Sequence, residues 1–141
     1  MNAVLAPLLS LTLIFLGSFP AAAEDKTRTT EAIRAAESFL LLLDTGQYGQ
    51  SWDSAADLFK KQVPKETWIR QLSGLLPPVG VIKNRTITSA EYRTELAGAP
   101  DGQYVVIRYR SSFTNKESAV ETVTPMLDAD GHWRVSGYFL Q

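Results

Sequence analysis

PDGQYVVIRYRSSFTNK, residues 100–116, decides the fold. It begins on a turn signal, Pro100-Asp101-Gly102, and ends on another, Asn115-Lys116. Between them the side chains alternate. Val105, Ile107, Tyr109 and Phe113 fall on one face, and Tyr104, Val106, Arg108 and Arg110 on the other. A period of two with one apolar row is the signature of a β-strand packed on one side only.

The same period continues in both directions. Downstream, a strand is expected over residues 119–127, then a tight turn at Asp130-Gly131, then a last strand. In that last strand the alternation places Trp133, Val135, Gly137 and Phe139 inward and Arg134, Ser136 and Tyr138 outward. Gly137 leaves room there for a bulge. Upstream, RTITSAEYRTEL (residues 85–96) reads as a more polar first strand. Short links between consecutive strands make the sheet an antiparallel meander.

Before Gly80 the period is helical. Residues 29–44 gather Ala32, Ile33, Ala36, Phe39, Leu40 and Leu43 on one face, with Gly46 placed to end the helix in a left-handed conformation. Tyr48, Trp52, Ala55/Ala56 and Phe59 mark a second helix. A third opens at Pro64, carries Trp68, Leu72, Leu75 and Leu76, and is expected to stop at Pro77-Pro78. Helices first and strands second give an α+β domain: three N-terminal helices on a curved four-stranded antiparallel meander. Long twisted strands are expected to curl around the first helix as a cone.

Residues 1–23 contain no Lys, Arg, Asp or Glu. An apolar run over residues 4–19 precedes Ala21-Ala22-Ala23, and the first charges are Glu24, Asp25 and Lys26. That order is a secretory signal peptide cleaved near Ala23, leaving residues 24–141 as one domain in the periplasm or secreted. The run is shorter than the roughly 20 residues of a spanning helix, so no stable membrane insertion is expected after cleavage. With no cysteine, disulfides and thiol chemistry are excluded. A formal net charge of −1 points to neither nucleic acid nor an anionic membrane.

The strings GQYGQSWDSAADLFK (46–60), WIRQL (68–72), PDGQYVVIRYRSSFTNK (100–116), ETVT (121–124) and DGHWRVSGYF (130–139) together resemble a secreted bacterial family, domain-of-unknown-function family 4019. The resemblance covers roughly residue 35 to the end. It implies a cystatin-like or nuclear-transport-factor-like cone and an exported location, and it supplies no functional residues.

Chemistry-bearing motifs are few. His132, the only histidine, sits at the edge of a hairpin turn without a nucleophile or ligand set, and no metal or other cofactor is expected. Asp128-x-Asp130-Gly131 lacks the remaining ligands of a calcium loop, including the glutamate six residues after the glycine. Asp53 and Asp57 read as the solvated side of a helix, and Asn84-Arg85-Thr86 as a chance glycosylation tripeptide. Glu37, at the margin of the first helix's apolar face, is the best acid.

Three functions follow. The leading one is a non-catalytic exported module binding an unknown small ligand or an exported protein. It would use either a pocket lined by Trp52 and Trp68 or the outer sheet face carrying Tyr104, Arg108, Arg110, Arg134 and Tyr138, which could also form a homodimer. The alternative is a small pocket enzyme of isomerase or hydratase type, with Glu37 as base and Tyr48 or Tyr109 as donor; it requires a buried Glu37 bonded to a tyrosine. A protease inhibitor would follow from the cone shape alone, and the Gln-x-Val-x-Gly wedge of cystatins is missing.

Overall fold

A computed structural model describes Gly17 and residues 20–141; apart from Gly17, the apolar run of the expected signal segment lies outside the described residues. Among the described residues there are four helices, α1 (Ala21–Asp44), α2 (Tyr48–Ser54), α3 (Asp57–Gln62) and α4 (Lys65–Val79). Four strands follow: β1 (Ile82–Arg93), β2 (Tyr104–Phe113), β3 (Lys116–Leu127) and β4 (Trp133–Leu140). They form one antiparallel sheet in the order β1-β2-β3-β4.

The expected helix 1 and its face are present, but the helix begins at Ala21, eight residues earlier than residue 29. Arg28 helps to hold that added stretch, bonding Glu24 and Asp25 and lying 5.5 Å over the Tyr92 ring. Ala32, Ala36, Phe39, Leu40 and Leu43 are buried against the sheet, and the large ones each contribute roughly 1.5–3 kcal/mol. Gly46, at φ 72°, makes the left-handed exit that a side chain would strain.

Two helices stand where one was expected over Tyr48 to Phe59. The chain turns extended at Ala55 and Ala56, and the Ala56 N–H donates to the Val135 carbonyl on β4 at 2.8 Å. Two fully buried alanines let the backbone come that close. The prolines also do not stop the last helix: α4 runs through Pro77 and Pro78 to Val79. Its final carbonyls are taken by the β2–β3 turn, where the Asn115 N–H bonds Val79 O and the Asn115 side chain bonds Pro78 O. Gly80 then leaves at φ 87°, and a Cβ there would meet Thr114 Oγ1 at 2.0 Å.

The cone is not formed. β1 and β4 are the two open edges of the sheet, which neither curls nor closes, and the cystatin-like and nuclear-transport-factor-like shapes are set aside. The physical reason is coverage: α1 crosses all four strands and, with α3 against β4, buries the inward row under a helical layer.

A register shift overturns the reading of the last strand. Thr124 pairs with Gly137 but Pro125 pairs with Val135, so Ser136 is an extra residue, and its hydroxyl donates to Thr124 O at 2.8 Å. One extra residue flips every later side chain to the other face. Tyr138 therefore points inward and is buried, while Phe139 points outward and is 67% exposed. In β1, Lys83, between Ile82 and Asn84, and Thr88, between Ile87 and Ser89, are further extra residues.

Candidate functional site

The last turns of α1 project Glu37, Leu40, Leu41 and Asp44 along one side, spaced three, four or seven residues apart. Beneath them lie the inward residues Arg85 and Ile87 of β1, paired with Ser111 and Tyr109 of β2; Tyr109 in turn pairs with Glu121 of β3. The register thus puts a guanidinium, two tyrosines and several carboxylates between helix and sheet.

Glu121 is the centre of a closed ionic cluster. It is 1% exposed and accepts four hydrogen bonds: from Arg85 Nε at 2.6 Å, Arg85 Nη2 at 3.1 Å, Tyr138 OH at 2.7 Å and Ser111 Oγ. Arg85 also clamps Asp44, Nη1 to Oδ2 at 2.9 Å and Nη2 to Oδ1 at 3.0 Å. Burial alone would depress the Arg85 guanidinium, but its bonds to Asp44 and Glu121 outweigh this and hold it above its ordinary value. Burial, and then the Glu121 charge, push the Tyr138 hydroxyl up. Four bonds fill the acceptor capacity of a carboxylate, so Glu121 has no lone pair open for proton abstraction.

Tyr109 differs. Its residue is 3% exposed, and its hydroxyl is the one buried side-chain polar atom without a hydrogen-bond partner among the described residues. Burial, then the Glu37 carboxylate, push it up to about 12, with Arg85 acting in the opposite sense. Tyr109 lines a cavity of about 770 Å³ together with Glu37, Leu40, Leu41, Asp44, Arg85 and Ile87. A second cavity, of about 350 Å³, lies on the other side of Asp44 and includes Tyr48, Glu121 and Tyr138.

The sequence-derived candidates are therefore redistributed. Glu37 and Tyr109 share a cavity, whereas Tyr48 lines the other one. Glu37 is exposed, and no hydrogen bond among the described residues joins it to a tyrosine, so the acid–tyrosine pair that the isomerase mechanism requires is not made. Trp52 and Trp68 belong to the helical layer. Trp52 Nε1 donates to Val63 O at 2.7 Å, and buried Trp68 donates to Ser51 Oγ at 2.9 Å.

On the outer sheet face, Tyr104 is covered by the preceding loop, with its hydroxyl on Pro100 O at 2.6 Å. Tyr138 is on the opposite face. Arg134 is clamped by Asp128 and Asp130 at 2.8–3.0 Å, which also engages both acids of the Asp128-x-Asp130-Gly131 turn. Arg108 and Arg110 alone of the five stay open, with no carboxylate at ion-pair distance among the described residues. His132 is exposed in its turn. No group of three or more His, Asp or Glu side chains among the described residues could hold a metal ion.

Sequence reasoning missed Asp44, Arg85, Ser111 and Glu121 as a unit. A signal existed: Glu121 falls between Ala119 and Val123 on the apolar parity of β3, where an unpaired carboxylate would be costly.

Helical layer, open antiparallel sheet and buried ionic cluster define a small α+β domain with one cavity on each side of the cluster. The chain belongs to the family described as protein of unknown function (DUF4019), whose model matches residues 35–138, a span that holds the whole cluster. No curated protein matches the chain.

Proposed function

We propose that the protein is an exported, non-catalytic binding module, residues 24–141 forming its mature single domain, and that it takes a small ligand in the cavity between the end of α1 and strands β1 and β2. One observation carries the reading: Tyr109, which lines an open cavity, has a buried hydroxyl without a hydrogen-bond partner among the described residues. A polar atom left without a protein partner in such a place is costly, and a ligand group that bonds it recovers the cost. Catalysis is disfavoured because Glu121 is saturated, Arg85 is clamped, and Glu37 lies at the exposed rim. Export is supported by the uncharged residues 1–23 with their Ala21-Ala22-Ala23 motif. No helix among the described residues is long and apolar enough to cross a membrane.

Native mass spectrometry of protein taken from the exported fraction of its own host tests the reading. The expected species begins at Glu24 and carries a small molecule that a Tyr109→Phe variant fails to retain. A chain still bearing residues 1–23 contradicts export. Protein that is ligand-free, or equally loaded in Tyr109→Phe, contradicts the binding site.

A second reading, contact with an exported protein or a second copy through the outer sheet face, is favoured by exposed Phe139 and Val120 beside Arg108 and Arg110. A dimer that Arg110→Glu dissociates would move the function to that face.

A further inference from the structure

The charges around the Tyr109 cavity do not balance. Glu37 and Asp44 line it from α1 and Glu121 lies just behind Arg85, so three carboxylates stand against one guanidinium, two of them bonded to it. Arg85 has five N–H donors, and four are committed: Nε and one on Nη2 to Glu121, one on Nη1 and the other on Nη2 to Asp44. An anionic ligand would find a single free N–H and would face the carboxylates, so the arginine that looks like an anion anchor is not one.

A cationic donor meets the opposite situation. Glu37 makes no ion pair among the described residues, and Asp44 retains lone pairs beyond the two that Arg85 occupies. The Tyr109 oxygen can accept as well as donate. Beside these acceptors the cavity offers aliphatic surface from Leu40, Leu41 and Ile87, of which Leu41 is 61% exposed. Glu37 at one end of this row, with the aliphatic Leu40 and Leu41 following it on α1, matches a molecule with an ammonium head and a short apolar body.

Resting on the binding reading above, we infer that this cavity takes a small primary amine, its ammonium held between the Glu37 carboxylate and the Tyr109 hydroxyl and its carbon chain lying along Leu40, Leu41 and Ile87. The two anchors are independent: Glu37 supplies charge and Tyr109 a directed hydrogen bond. A charge-assisted bond is roughly twice as strong as a neutral one, so Glu37 carries the larger share.

Calorimetric titration with n-butylammonium, n-butanol and butyrate separates this inference from the reading beneath it. Butylammonium is expected to bind at least about tenfold more tightly than butanol, and butyrate more weakly than either. Glu37→Gln should weaken butylammonium about tenfold and leave butanol unchanged, and Tyr109→Phe should weaken both about fivefold. Asp57→Asn, which removes an exposed carboxylate from α3, should change nothing. Equal binding of butylammonium and butanol, both lost on Tyr109→Phe, overturns the amine assignment while the binding site stands. No binding by any probe, or binding indifferent to Tyr109→Phe, overturns both.

Discussion

Arg85→Ala is expected to lower the free energy of unfolding by about 3–5 kcal/mol, measured by urea denaturation. The size follows from what remains. Glu121, 1% exposed in the intact domain, would be left with only the neutral hydroxyls of Ser111 and Tyr138 to stabilise its charge. Asp44 would lose both its bonds at the end of α1. Domains of this size have about 5–15 kcal/mol in total, so a large part of the stability would go. The double variant Arg85→Met with Glu121→Leu should recover most of the loss, because it removes the buried charge along with its partner. A loss under about 1 kcal/mol would mean that the pair behaves as an exposed ion pair and that the cluster is not closed.

Trp68→Ala should cost a similar amount, about 3–5 kcal/mol by the same measurement. The indole is 6% exposed, its ring 4.9 Å from Phe59 at 83° and 6.3 Å from Phe39. Its removal leaves a cavity in the helical layer and takes the donor from buried Ser51 Oγ. Trp52→Ala should cost less, since that ring is only half-buried and partly covered by Lys60 and Lys65. A tryptophan lining an open pocket would behave otherwise, with little loss of stability on truncation. Trp68→Ala within about 1 kcal/mol of wild type would restore the pocket that the sequence led one to expect.

The inward row of β2 was readable without a structure because Val105, Ile107, Tyr109 and Phe113 keep strict alternation, the extra residues of its register shifts falling on β1 and β3. Parity counting failed in β4 for a local reason. Ser136 adds one residue, and nothing in the polarity of WRVSGYFL announces that Tyr138 and Phe139 exchange faces. The break at Ala55-Ala56 was hidden for a related reason: its cause is a backbone bond to Val135, nearly eighty residues downstream. Tyr109 could be chosen from sequence because it is a polar-tipped residue on an apolar row. Glu121 satisfies the same criterion, and neither Arg108 nor Arg110 can neutralise it, because both face the other way. Arg85 was hidden inside a glycosylation-like tripeptide, and its partner Asp44 looked like an ordinary helix end. Long-range pairing unites them, with Arg85 bonding residues 41 positions before it and 36 after it.

The central claim is that the Tyr109 hydroxyl makes no contribution to the fold and is held for a ligand, and the stability of Tyr109→Phe in ligand-free protein tests it most directly. Deleting a buried hydroxyl that no protein group bonds should leave the unfolding free energy unchanged or raise it by about 1–2 kcal/mol. A fall of about 1 kcal/mol or more would show that the hydroxyl is bonded within the domain, and would contradict its assignment as the ligand-facing group.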